Sequence, residues 1–204
     1  STLPFFYTIA AFWAGQEGSL LFWELLIAVS GCLMLILPSY KRLSDRHKLY
    51  FCMFFMAAQA FFLLLLTAMS NPFTTLAVAP EDGQGLNPML RNIGMVLHPP
   101  LLFMGYAGFT VPACLAMGAV MAGEKKAGNA PAHNWVLMSW ATLTAGILLG
   151  CWWAYMELGW GGYWAWDPVE NASLIPWFSA TALLHTRVVE RKFGYLSRTS
   201  VFLV

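Results

Sequence analysis

From Leu49 to Met69 the chain carries no formal charge, and that run is as long as a helix needs to be to cross a lipid bilayer, about 20 residues. Inside hydrocarbon every backbone N–H and C=O must find a partner within the protein, which makes a helix the default form for such a segment. Four more apolar runs have the same character, so spans are expected at roughly 19–38, 49–69, 95–121, 135–155 and 168–190. Leu3 to Trp13 is too short to cross and reads as an interfacial helix. The sequence therefore predicts an all-α integral membrane protein. It would be a single membrane domain over 1–204, with about five transmembrane helices, an N-terminal interfacial helix and a Trp-rich loop on one face. Charged residues make up 10% of the chain, against about 25% in soluble domains, which excludes a water-soluble fold. A formal net charge of +1 gives no general attraction for nucleic acid. The opening Ser1-Thr2-Leu3-Pro4 has neither an initiator Met nor a basic segment, as expected for part of a longer protein.

Basic residues orient the chain. Lys41, Arg42, Arg46 and Lys48 lie in one loop, Lys125 and Lys126 in another, and Arg187, Arg191, Lys192 and Arg198 near the end. These alternate with loops 71–92 and 157–167, which are acidic or aromatic. The positive-inside rule then puts the basic set in the cytoplasm and the other two loops outside. Glu24 and Gln59 lie within spans and are expected to bond neighbouring helices. Cys32, Cys52, Cys114 and Cys151 fall in apolar runs with no C-x-x-C pair, and are expected as buried packing residues without disulfides. His47 and His133 fall in the basic loops and have no assigned role.

Six of the ten tryptophans lie between 152 and 177. An aromatic belt places Trp near the ends of every span; a cluster in one loop, spaced by Gly161 and Gly162, is different. Glycine lets backbone approach a flat ligand closely, so Trp160, Trp164 and Trp166 with Tyr163 could form a platform for a large planar hydrophobe. Two readings stand for Asp167 and Glu170. Asp-Pro-x-Glu suits a helix start, with Asp as N-cap and Pro first, and both acids also flank the platform. His98 precedes Pro99-Pro100, and a residue before proline is pushed out of the helical region. It is therefore expected on irregular backbone at the mouth of the third span, as a candidate axial ligand. His185 is expected deep in the fifth span, where an ionisable residue is either a functional group or a helix–helix hydrogen bond.

The segment Trp160-Gly-Gly-Tyr-Trp-Ala-Trp-Asp-Pro-Val-Glu-Asn-Ala-Ser173, the segment Val96-Leu-His-Pro-Pro100 and the segment Trp13-Ala-Gly-Gln-Glu-Gly-Ser-Leu20 together resemble the CcmF/NrfE family of cytochrome c biogenesis proteins. The resemblance covers essentially the whole chain. It implies a bacterial inner-membrane protein with the loop, called the WWD loop, on the periplasmic side. It implies haem as substrate held by Trp160, Gly161, Gly162, Tyr163, Trp164, Trp166, Asp167 and Glu170. His98 matches an axial ligand of that outer haem, and His185 a ligand of a structural haem b within the membrane. Partner ligands would come from helices beyond residue 204. Tyr163 stands where the family often has Trp, which keeps an aromatic face. The implied function is a part in covalent haem attachment to apocytochrome c as a component of a haem lyase. The haem chaperone CcmE, thiol-handling subunits such as CcmH, and membrane lipid are the implied partners. Two other functions fit the residues less closely: a haem exporter, and a haem-binding assembly factor without catalysis.

Overall fold

The computed structural model describes residues 3–75, 77–78, 80–83, 85–124, 129–194 and 203, with backbone only at 129–131. These residues form seven α-helices, one 3-10 turn at Pro88–Leu90 and no strand. The helices are α1 (Phe5–Ala14), α2 (Gln16–Ile36), α3 (Pro38–Lys41), α4 (Asp45–Ala68), α5 (Ile93–Met121), α6 (Asn129–Glu157) and α7 (Pro168–Phe193). By length and composition, α2, α4, α5 and residues Ala132–Glu157 of α6 can cross a membrane. The short apolar α1 stands ahead of them. α7 has 26 residues, but Arg187, Glu190, Arg191 and Lys192 crowd its last turns and lower its apolar character.

Local chemistry sets several helix starts. Ser44 accepts a hydrogen bond from His47 N at 3.2 Å, Asn92 from Gly94 N at 2.7 Å, and Asp167 from Glu170 N at 2.7 Å. Each satisfies one of the donors that a helix N-terminus leaves unpaired. α7 stops at Gly194, whose φ of 73° is the left-handed C-cap conformation glycine adopts without strain.

The closest pairing is antiparallel α5 on α6, and missing side chains explain it. A Cβ on Gly105 would stand 2.7 Å from Leu143 Cβ, one on Gly146 would stand 2.9 Å from Leu102 N, and one on Gly108 would overlap the Ser139 hydroxyl. Small residues let membrane helices approach until their backbones touch. That packing overrules the expected break at His98-Pro99-Pro100: α5 runs helically through all three residues and through Pro112. An unpaired backbone group in hydrocarbon costs several kcal/mol, more than the local preference against helix ahead of proline.

Glu24 and Gln59 bridge α2 and α4 as expected. The Gln59 amide nitrogen donates to Glu24 Oε1 and its oxygen accepts from Ala28 N at 3.0 Å. The cysteines correct the sequence reading in part. All four are free, yet only Cys114 is buried, and Cys32 is exposed.

His47 is a second correction. It is not a loop residue but belongs to the first turn of α4, and is 1% exposed. Its Nε2 donates to the Leu115 carbonyl at 2.9 Å, and its Nδ1 lies 2.9 Å from Glu124 Oε2. The Ser44 hydroxyl donates to Glu124 Oε1 at 2.7 Å. The Ser44 bond is the main reason the Glu124 carboxyl is held below its ordinary value of 4.5; partial burial opposes it and His47 reinforces it. A lowered carboxyl value means stability that is fully present at neutral pH and lost as pH falls below 4.5 toward the lowered value. Glu124→Gln is therefore expected to destabilise the protein at pH 7 by roughly 1 kcal/mol and to flatten its acid sensitivity. Thermal unfolding across pH checks both effects.

Candidate functional site

One end of the bundle carries loop 69–92 and the loop from 158 to 167. Trp153 Nε1 donates to Met89 O at 3.2 Å, and Asn92 Nδ2 donates to Glu157 Oε1 at 2.6 Å, so loop 69–92 is tied to the last turns of α6. Beneath them, a cleft of about 190 Å³ lies between α5, α6 and the start of α7, lined among others by His98, Gly150, Trp153, Trp160, Trp164 and Glu170. Pockets that enclose a ligand run from roughly 300 Å³ upward. This cleft is too small to enclose a large planar molecule and could admit only the edge of one.

His98 is half-buried on the α5 wall. Its Nδ1 sits 2.7 Å from the Gly146 carbonyl oxygen. A carbonyl only accepts, so Nδ1 carries the proton and Nε2 keeps its lone pair. Metal-binding imidazoles are commonly held this way, with one nitrogen fixed by an outer hydrogen bond and the other free to ligate. Gly150 makes the seat: a Cβ there would lie 2.5 Å from His98 Cε1 and 2.7 Å from Nδ1.

The loop above is held by the first turn of α7. Glu170 Oε2 accepts from Ala165 N at 2.7 Å, Asp167 caps the helix, and Asn171 Nδ2 donates to Trp166 O at 3.1 Å. Asp167 therefore performs the capping work the sequence allowed, Glu170 instead holds the loop backbone at Ala165, and both line the cleft. Trp166 has a φ of 60°, a left-handed conformation costing a non-glycine residue roughly 1–2 kcal/mol. Such strain persists where surrounding contacts over-determine it, and it concentrates at functional sites. Gly161, with φ 73°, makes a similar turn at no steric cost.

The indoles divide by role. Trp177 Nε1 donates to Thr144 Oγ1, and Trp140 Nε1 to Thr181 Oγ1, both at 2.8 Å; their rings stack at 6.1 Å. These two bind α7 to α6. Trp160 Nε1 donates to Ala154 O at 3.3 Å and closes one side of the cleft. Trp164 Nε1 is buried and has no hydrogen-bond partner. A buried donor without an acceptor costs about 1–3 kcal/mol. Tyr163 stacks on Tyr155 at 4.4 Å and, with Trp166, faces outward; the two are 57% and 71% exposed. Neither they nor Gly161 and Gly162 line the cleft.

His185 is far from this group. It is exposed on α7, with Nδ1 2.8 Å from the Thr181 carbonyl, so its Nε2 is likewise free. Trp140, bonded to Thr181, is six residues along α6 from Gly146, about 9 Å; from Thr181 to His185 adds about 6 Å. The two imidazoles are thus separated by about 15 Å along the helices.

Among the described residues no three His, Cys, Asp or Glu side chains gather to hold a bare metal ion. A metal already inside a macrocycle needs only axial ligands, and single imidazoles with free Nε2 atoms suit it. Gly146 and Gly150 escaped the sequence reading. Their one-turn spacing was visible, but nothing in the sequence says which α6 residues face His98.

Residues 13–204 match the model of a family described as Cytochrome C assembly protein. The chain belongs to that family. It is 42% identical to the cytochrome c-type biogenesis protein CcmF of Haemophilus influenzae, over 100% of this chain and 31% of that protein. It is 43% identical to the probable cytochrome c-type biogenesis protein NrfE of Escherichia coli, over 100% of this chain and 37% of that protein. The fold matches the solved structure of a cytochrome c haem lyase CcmF with a TM-score of 0.83 and 34% identity, covering 98% of this chain and 31% of that one. The chain thus spans about a third of the length of these relatives. The bundle of α1–α7 is the fold of that portion of the family.

Proposed function

We propose that this chain is the part of a cytochrome c haem lyase that holds haem at the periplasmic face for attachment to apocytochrome c. The observation that carries this reading is His98, with its proton fixed on Nδ1 by Gly146 and its free Nε2 beside a cleft roofed by Trp160 and Trp164. When bound, haem supplies two vinyl groups, and an apocytochrome thiol adds across each, sulfur to one carbon and hydrogen to the other. The chain's own residues orient and retain. His98 Nε2 holds the iron from the α5 side, the Trp160 and Trp164 rings cover the edge of the macrocycle, and Trp164 Nε1 donates to an oxygen on the ligand. The first turn of α7 keeps the loop in shape through Asp167, Glu170 and Asn171. None of this requires a nucleophile from the chain. His185, facing outward from α7, would ligate a haem b completed by a helix outside this segment. The haem chaperone CcmE would deliver to the same face, and CcmH-type subunits would present the thiols there.

This orientation puts the loop end of the bundle outside and the Ser44–Glu124 end in the cytoplasm. Reporters fused at Asp45 and Asn129 are expected to read cytoplasmic, and one at Gly83 periplasmic; a cytoplasmic signal at Gly83 would take the cleft away from the cytochromes. The stacked Trp140–Trp177 layer between the two histidine levels leaves α6 and α7 closed, which disfavours an exporter. The direct test of the site replaces Trp164 and Trp166 together by Ala. Cytochrome c maturation is expected to fall to background while the protein still accumulates in the membrane. Loss of the protein itself would make the loop a structural element and remove the support for a haem platform.

A further inference from the structure

A second cavity lies at the opposite level of the bundle. It measures about 340 Å³ and is lined by Phe109 and Pro112 of α5, Val136 of α6, and Pro176, Ala180 and Leu183 of α7, with Ser179 and Leu203 completing it. Among the described residues no His, Cys or Met lines it, so it is not built for iron, and His185 lies about 200° around α7 from Leu183. The cavity opens at the surface of the bundle and its walls are mainly apolar, and leaving such walls without partner atoms forfeits packing.

Its lower edge is cationic. Val136 is one turn from His133 on α6, and Leu183 is one turn from Arg187 on α7. His133 is close enough to feel the charges of Arg187 and Arg191, and its Nδ1 is buried with no hydrogen-bond partner. Arg187 is turned inward, 7% exposed, and Arg191 is exposed. Glu190 sets one negative charge against the cluster and acts on Arg187. From the α7 start at Pro168 to Arg187 is about 28 Å of helix, close to the roughly 30 Å thickness of the hydrocarbon core. With Pro168 at the outer boundary of the hydrocarbon, the cluster would sit at headgroup level, directly below an apolar cavity at acyl-chain level.

We propose that this is a binding site for one anionic phospholipid, its phosphate held by Arg191 and His133 and one acyl chain lodged between Pro112, Val136, Ala180 and Leu183. Basic pockets between transmembrane helices on the cytoplasmic side suit acidic headgroups, and the cavity gives the chain a seat that bulk lipid lacks. The site is independent of the haem reading; only its assignment to the inner leaflet rests on the orientation proposed above.

Native mass spectrometry tests it on the full natural protein, released from bilayers of equal parts phosphatidylglycerol and phosphatidylcholine. The wild type is expected to retain one phosphatidylglycerol. Arg191→Gln, at an exposed position, is expected to lower the preference for phosphatidylglycerol about fivefold. Ser179→Phe, which fills the cavity from its rim and leaves every cation in place, is expected to abolish retention of either lipid. Equal retention of the two lipids by the wild type, or retention unchanged by Ser179→Phe, overturns the proposal. Retention that follows Arg191 but not Ser179 also overturns it, since it leaves only a charged surface.

Discussion

His185→Ala in the full natural protein is expected to remove most of the b-type haem spectrum, whereas His98→Ala should leave that spectrum and abolish cytochrome c maturation. The separation of the two imidazoles, about 15 Å along α6 and α7, forces this split, because both ligands of one iron must lie within a few ångströms of it. Each ring already has Nδ1 tied to a carbonyl, at Gly146 for His98 and at Thr181 for His185, so on the function proposed above each would offer Nε2 to a different haem. Absorption spectra of the purified variants, with haem staining of the mature cytochromes, read the two effects separately. Loss of one common spectrum in both variants would mean one haem and would sink the two-site reading.

The second large effect comes from a methyl group. Gly150→Ala puts a Cβ where His98 Cε1 and Nδ1 now lie at 2.5 and 2.7 Å, closer than any carbon tolerates. The imidazole must swing away, giving up the Gly146 carbonyl that sets its tautomer. Loss of such an outer partner typically costs about 10–100-fold in metal affinity or activity, and maturation should fall by that amount. The b-type spectrum and the membrane level of the protein should stay, because His185 is far away and the α5–α6 seam is still closed by Gly105, Gly108 and Gly146. Leu148→Ala, two residues back on α6, 64% exposed and outside the cleft, controls for general disturbance of α6 and is expected to mature cytochromes normally. Normal maturation by Gly150→Ala would show that His98 does not work from the position seen here.

Composition and long uncharged apolar runs were enough to foretell a helical membrane protein, since hydrocarbon permits few other forms for stretches of that length. The motif around Trp160–Asp167 pointed to the family, and the Asp-Pro-x-Glu pattern foretold the α7 cap, because capping depends on residues a few positions apart. What depended on contacts between distant residues stayed hidden. The local rule for a residue before proline put His98 on irregular backbone; close packing of α5 on α6 keeps it helical. His47 reads as a loop residue until Glu124 and the Leu115 carbonyl, distant in sequence, enclose it. The seat made by Gly146 and Gly150, the outward face of His185 and the empty partner position of Trp164 Nε1 were likewise decided by tertiary structure. A sequence states which groups are available and how adjacent ones pair, but the rotation of one helix against another sets which free nitrogen faces a cleft, and many residues contribute weakly to that rotation at once.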